Sequence, residues 1–168
     1  MYDQILYPTD GSEGATAALD TVRDLAETYG ATVHLLFVAD TSREGFGLGH
    51  DPKSNVAGMV GEPEGGDGGM VGNRTTADEL REEVEAHGQE ILDSVAQQLG
   101  DMSTTTAVHG GDPHEVILKY AGDEGIDMIV MGTHGRTGLD RYLLGSVTEK
   151  VVRLSDVPVL TVRQNDDD

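Results

Sequence analysis

Short apolar runs alternate with amphipathic helical patterns along the 168 residues of this chain, and that alternation restricts its fold more than any other feature. Runs with strand character cover residues 4–7, 32–38, 104–108, 128–131 and 159–162. The second and fourth runs are almost continuously apolar, which is typical of strands covered on both faces. The alternation therefore predicts a single α/β domain, in which helices cover both faces of a parallel sheet.

Four patterns with helical periodicity lie among these strands. They begin at Ser12, Thr76, Asp112 and Ser146. Thr76 and Glu79 have the spacing of a capping box, and the first two patterns end at Gly30 and Gly100, which suit a left-handed helix terminus. Pro113 falls in the first turn of the third helix, where its missing N–H costs nothing. The sequence thus predicts four helices.

An excess of acidic residues excludes several classes of partner. The chain has 31 Asp and Glu against 11 Lys and Arg, so its formal net charge is −20. Such a field repels the phosphates of nucleic acids and of anionic membranes, and we expect neither as a partner. The chain has no Cys, which excludes disulfides, thiol nucleophiles and thiolate zinc sites. The first residues lack the basic start and the apolar run of a signal peptide, so we expect a soluble cytoplasmic protein.

The charge excess also predicts a halophilic protein. Acidic residues are spread along the chain, and Lys occurs only at positions 53, 119 and 150. Because salt screens the repulsion among these acids, we expect the midpoint of thermal unfolding to rise from low ionic strength to molar KCl. A midpoint that does not change with salt would contradict this hypothesis.

Residues 43–74 depart from the alternating pattern. They include 10 glycines in 32 residues and show no hydrophobic periodicity. This composition predicts a long flexible loop. The loop is either a lid over a site or an insertion without a function of its own, and residues 165–168 are expected to form a solvated tail.

Two segments carry residue types that bind ligands at the edge of such a sheet. In an open parallel sheet, ligands bind beyond the carboxyl ends of the strands, where the strand order reverses. Residues 7–12 follow the first strand and residues 131–138 follow the fourth. Gly132 and Gly135 permit positive φ and let backbone N–H groups approach a bulky anion. Residues 145–148 begin the last helix, whose N-terminus favours phosphate.

Phosphate binding is one of two interpretations that these residues leave open. Ser146 and Thr148 would add hydroxyl groups and Arg136 a positive charge. Alternatively, the glycines form a tight turn and the start of the last helix is only an ordinary cap. Asp10 has the same two interpretations, because an Asp between a strand and a helix either contacts a ligand or forms a turn.

The spacing of Gly132, Gly135, Gly145 and Ser146 resembles the G-2x-G-9x-G(S/T) motif of the ATP-binding branch of the universal stress protein family. The resemblance extends over the whole chain except residues 43–74. It implies a Rossmann-like, five-stranded parallel sheet in the order 3-2-1-4-5. It also implies a homodimer formed through the last strand.

The resemblance further implies which residues meet a nucleotide. The adenosine pocket would be lined by Pro8, Thr9, Asp10 and the backbone of Val38. The ribose would be bordered by Met131 and Gly132. The phosphates, with Mg²⁺ or Mn²⁺, would be surrounded by Gly135, Arg136, Gly145, Ser146, Val147 and Thr148.

The implied function is an ATP-binding regulatory protein of the stress response, which signals through its occupied state or through an unknown protein partner. One alternative is a slow ATPase or a nucleotidyl transferase. Efficient phosphoryl transfer needs a positioned metal, a cationic clamp and a group that orients the nucleophile. Few candidates for those roles are present, namely His134, Arg136, Asp140 and Arg141. The other alternative, an interaction module without nucleotide, is disfavoured by the intact glycines.

His109, Asp112 and His114 form a second group of interest. They have two interpretations, a metal cluster and the capped start of a helix. The cap is favoured because the sequence has no second set of carboxylate and histidine at ligand spacing.

Overall fold

A five-stranded parallel sheet forms the centre of the protein in the computed structural model, which describes residues 1–41, 75–134 and 144–164. The strands are β1 (Gln4–Pro8), β2 (Thr32–Asp40), β3 (Thr104–Gly111), β4 (Met128–Gly132) and β5 (Val159–Val162). Their order is β3-β2-β1-β4-β5, and every neighbouring pair is parallel. The single-domain α/β fold and the implied strand order are therefore confirmed.

Strands β2 and β3 are longer than predicted. They pair from Val33 with Thr104 to Asp40 with Gly111, beyond the end of their apolar runs. The backbone ladder thus continues past the last apolar side chain. Periodicity of side chains does not report that extension, because the ladder is made by main-chain groups.

The helices are α1 (Glu13–Thr16), α2 (Leu19–Tyr29), α3 (Thr75–Leu99), α4 (Pro113–Asp123) and α5 (Ser146–Leu154). In the described part of the chain, no helix combines the length and the apolar character needed to cross a bilayer. The side chain of Thr76 lies outside the described residues, so the capping box stays a prediction. So do the flexible loop at 43–74 and the solvated tail at 165–168, which lie outside as well.

The prediction of one helix from Ser12 to Gly30 was wrong, because the segment forms two helices. Ser12 does cap the first of them, accepting a hydrogen bond from the Ala15 N–H. The N–H of Ala18 then bonds to the Ala15 carbonyl, three residues back rather than four. This tightened turn separates α1 from α2 and lets each pack against its own part of the sheet.

Apolar side chains fill both sides of the sheet. One core joins the sheet to α2 and α3, and the other joins it to α4 and α5. Ile5, Leu6 and Tyr7 of β1 have no exposed surface. Helices therefore cover both faces, as the nearly continuous apolar strands predicted.

A buried polar network crosses the α4 side of the sheet, and sequence analysis did not find it. Nε2 of His34 lies 2.7 Å from Oε1 of Gln4, so this nitrogen carries the proton. Nδ1 of His34 accepts a hydrogen bond from the Tyr120 hydroxyl at 3.0 Å. Burial lowers the pKa of His34, and the charge of Glu124 opposes part of that effect. The fold therefore holds His34 as neutral imidazole.

This network makes stability depend on pH. The pKa of an unfolded histidine is about 6.5, and that of folded His34 is lower, so the unfolded chain binds more protons between the two values. The free energy of unfolding should therefore fall as pH decreases from about 6.5 through the lowered pKa. His34→Gln should lose this part of the pH dependence in denaturant titrations. The matched control is His87→Gln, at an exposed histidine of α3 whose ring contacts Phe37 rather than Tyr120. A pH profile of His34→Gln identical to that of the wild type would refute the account.

Candidate functional site

The strand order reverses between β1 and β4, and the candidate site lies at the carboxyl ends of these two strands. Along the chain, β2 and β3 are added on one side of β1, whereas β4 and β5 are added on the other. The pairing of β1 with β4 covers Ile5 and Leu6, and the last residues of β1 pair with β2. The ends of β1 and β4 thus border a crevice of the kind where α/β proteins bind ligands.

The loop after β1 is a fixed turn. The N–H of Thr9 donates to the Leu36 carbonyl at 2.9 Å, and the Thr9 hydroxyl accepts from the Gly11 N–H. Oδ1 of Asp10 accepts from the Ser12 N–H at 2.9 Å. Gly11 has a φ of 75°, a conformation that suits glycine. Asp10 therefore does form a turn, and its part-buried carboxylate lies at the rim of the crevice.

Helix α1 is anchored on the sheet by a buried tyrosine. The Tyr7 hydroxyl donates to the Ala15 carbonyl at 2.8 Å. Burial raises the pKa of Tyr7 to about 12, so the phenol stays protonated and keeps donating. The apolar run predicts a strand at Tyr7 but not this role, since nothing in the local pattern shows which carbonyl its hydroxyl reaches.

The end of β4 is closely packed. Met131 is buried in the core on the α4 side, so only its backbone can face a ligand. A Cβ placed on Gly132 would lie 2.0 Å from the Gly14 carbonyl oxygen. Gly132 does not use the positive φ that glycine permits, because it is extended as the last residue of β4. Glycine is needed here for the close approach of α1.

The start of α5 is tied to the end of β4. The N–H of Gly145 donates to the Thr133 carbonyl at 2.7 Å. The Thr148 hydroxyl is buried and donates to the Gly132 carbonyl at 3.0 Å. Two hydrogen bonds thus hold the first turn of α5 beside the crevice, and the Thr148 hydroxyl has a structural task.

The N-terminus of α5 has the character of an anion site. Gly145 is its N-cap and supplies no side-chain hydrogen bond. The backbone bonds of the helix begin with the Glu149 N–H donating to the Gly145 carbonyl. The three preceding N–H groups, of residues 146–148, are those that an α-helix leaves without internal acceptors. Together with the exposed Ser146 hydroxyl, they form a group of donors at the positive end of a helix dipole.

The remaining predicted residues divide into two groups. Val38 and Val147 are partly buried and pack against the core on the α4 side. Gly135 and Arg136 lie outside the described residues. The structure therefore brings together, at one edge of the sheet, Pro8, Thr9, Asp10, Met131, Gly132, Gly145, Ser146, Val147 and Thr148.

The predicted helix cap at Asp112 is confirmed. Its carboxylate accepts from the backbone N–H of His114 at the start of α4 and also contacts the His114 ring at Nδ1. No group of three or more His, Asp or Glu able to hold a metal was found in the part of the chain that the structure describes.

His134 lies at the carboxyl end of β4. Its Nδ1 pairs with the Thr133 hydroxyl at 2.9 Å. Its Nε2 is buried, and within the described residues it has no hydrogen-bond partner.

A comparison with known proteins decides the family. Residues 1–163 match the universal stress protein family. The chain belongs to this family. Universal stress protein MJ0577 of Methanocaldococcus jannaschii is 36% identical over 170 residues, covering 98% of this chain and 96% of the relative. Universal stress protein YxiE of Bacillus subtilis is 33% identical, covering 97% of this chain and 100% of its own.

Solved structures of universal stress proteins share the fold. The structure of MJ0577 superposes with a TM-score of 0.76 at 33% identity and covers 99% of both chains. A family protein from Arabidopsis thaliana was solved with AMP bound, with a TM-score of 0.62, 16% identity and coverage of 98% and 94%. Another was solved in complex with cAMP, with a TM-score of 0.60, 20% identity and coverage of 98% of both chains. Nucleotides thus bind to proteins of this fold.

Proposed function

We propose that this universal stress protein binds ATP at the carboxyl ends of β1 and β4 and acts by holding the nucleotide. The observation that carries the proposal is the N-terminus of α5. Its first N–H groups have no acceptors within the helix, and the Gly145 and Thr148 hydrogen bonds hold it beside the crevice. Ligand sites at a topological switch point and phosphates at helix N-termini are both general features of α/β folds.

The phosphates would be bound mainly by backbone groups. The N–H groups of residues 146–148 and the Ser146 hydroxyl supply donors, and the motif adds Gly135 and Arg136. The net charge of −20 repels an anion, but salt screens the repulsion from charges more than about 8–10 Å away. Short charge-assisted hydrogen bonds at the site therefore decide the binding.

The nucleoside would be bound on the β1 side of the crevice. Carboxylates are strong acceptors for sugar hydroxyl groups, and Asp10 is part of the fixed turn after β1. Pro8 and Thr9 are buried next to it. Val38, Met131 and Gly132 would contribute backbone atoms, since the side chains of Val38 and Met131 pack in the core.

A divalent cation would be held mostly by the nucleotide. Mg²⁺ and Mn²⁺ prefer oxygen ligands and keep several waters when they bind with phosphates. The described residues contain no ready-made cluster of ligands, which fits an ion that enters with ATP. It would neutralise phosphate charge that otherwise faces an acidic protein.

We propose that turnover of the bound ATP is slow, which favours a regulatory role over an enzymatic one. The described residues at the carboxyl ends of β1 and β4 offer few groups that could clamp a transferring phosphoryl or orient a nucleophile. We therefore propose that the occupied state is what a partner protein reads. Acid extraction of the purified protein would release ATP if hydrolysis is slow and ADP if it is not.

A homodimer through β5 is part of the proposal. Strand β5 lies at the edge of the sheet, and an edge strand offers unpaired backbone groups to a second copy. Leu160 of β5 and Val152 and Leu154 of α5 are exposed apolar residues near this edge. Light scattering of the full chain in high salt should give the mass of two chains, and the mass of one chain would contradict the dimer.

Variants of Asp10 test the nucleotide site. Isothermal titration with Mg-ATP should show binding to the wild type and a loss of about 1–3 kcal/mol in Asp10→Ala. Asp10→Asn keeps an oxygen that accepts from the Ser12 N–H, so it preserves the turn and removes only the charge. We expect Asp10→Asn also to weaken binding, because the carboxylate would contact the sugar.

Glu27→Ala is the matched control, since it removes an exposed acid from the last turn of α2. It should bind as the wild type does. Wild-type affinity in Asp10→Asn would show that the charge of Asp10 does not contribute to binding and that Asp10 only forms the turn. A wild-type protein that does not bind Mg-ATP would overturn the proposed function.

A further inference from the structure

Two glycines let helix α1 touch the end of β4. A Cβ on Gly14 would lie 2.1 Å from the His134 carbonyl oxygen, and a Cβ on Gly132 would lie 2.0 Å from the Gly14 carbonyl oxygen. Real Cβ atoms essentially never approach other atoms to within 3.0 Å. Backbone therefore packs directly on backbone here, and either side chain would force the two segments apart.

The contact involves a helix that is too short to be stable alone. Helix α1 has 4 residues, and the hydrogen bonds of a single turn do not offset the free-energy cost of nucleating a helix. It is held from below by the Tyr7 hydroxyl, at its start by the Ser12 cap, and at its side by β4 through Gly14. Its position is thus decided by tertiary contacts.

The same contact joins the two halves of the candidate site. The Asp10 turn runs directly into α1, and the end of β4 holds the start of α5 through the Thr148 hydroxyl. The contact between Gly14 and Gly132 therefore sets the distance between the turn and the N-terminus of α5. A ligand that bridges the two would be sensitive to any change in that distance.

We propose that Gly14 is a positioning residue for the nucleotide, because it sets the separation between the nucleoside side and the phosphate side of the site. This inference rests on the proposed function. It assigns to Gly14 a task that neither helix propensity nor the glycine motif indicates. Glycine in a helix is otherwise unfavourable relative to Ala.

Gly14→Ala tests the proposal against two ligands. Mg-ATP spans both sides of the site, whereas inorganic triphosphate can reach only the phosphate side. The added Cβ should push α1 away from β4, and we expect the Kd for Mg-ATP to rise about tenfold or more. The Kd for inorganic triphosphate should stay close to the wild-type value. Both titrations belong at a temperature where circular dichroism shows a fully folded variant.

Gly122→Ala is the matched control. Gly122 lies in helix α4, and a Cβ there would meet nothing within 4 Å. This variant should keep wild-type affinity for both ligands. If Gly14→Ala does not fold, Tyr7→Phe loosens α1 without adding an atom to the contact, and it should weaken Mg-ATP binding selectively.

The outcomes separate the inference from the function on which it rests. Wild-type affinity for Mg-ATP in a folded Gly14→Ala, or in Tyr7→Phe if Gly14→Ala does not fold, would overturn the positioning role. Equal losses for Mg-ATP and triphosphate would overturn it too, because they would show damage to the phosphate side alone. A wild-type protein that binds neither ligand would instead contradict the proposed function.

Discussion

Burial of β1 on both faces is the constraint on which the rest of the structure depends. Ile5, Leu6 and Tyr7 have no exposed surface, so β1 has to lie inside the sheet with helices on both sides. Strands are then added on both sides of it, and the carboxyl ends of β1 and β4 lie side by side. The side chain of Tyr7 also positions α1, because its protonated hydroxyl donates a hydrogen bond to the Ala15 carbonyl of that helix.

In the proposed function, the described residues at the carboxyl ends of β1 and β4 bind the nucleotide through backbone groups rather than through a cluster of charged side chains. Because Gly132 has no side chain, its backbone packs directly on α1. Its carbonyl oxygen accepts a hydrogen bond from Thr148 of α5. The donors at the start of α5 are main-chain N–H groups at a helix terminus. Such donors would bind an anion even within a strongly acidic protein, since short hydrogen bonds act at the site whereas salt screens the charge of more distant acids.

The sequence predicted those parts of the structure that local patterns encode. Apolar runs located the five strands of the described residues, and the Asp112 cap was recognised from Asp112 and the proline after it. The family motif brought Gly132 and Gly145 to one place. The break between α1 and α2 was missed, because it follows from contacts of α1 with β1 and β4 rather than from the helical periodicity around Ser12.

Contacts between distant parts of the chain account for the other errors. The sequence explained Gly132 by its freedom of φ and by the approach of an anion, whereas its close approach to Gly14 requires the glycine. His34 reads as part of an apolar strand, and its partners Gln4 and Tyr120 come from β1 and α4. No local pattern shows that a donor and an acceptor will meet across a sheet, so such pairs can be found only in the fold.

The central claim is that a nucleotide bridges the turn after β1 and the N-terminus of α5. An amide NMR titration of the full chain with Mg-ATP, in salt that keeps it folded, tests this claim most directly. We expect saturable shift changes concentrated at residues 9–12 and 146–148. Ala31 and Asp127, which precede β2 and β4 at the amino ends of the strands, should change little. Saturable changes confined to other residues, or no saturable change at all, would contradict the account.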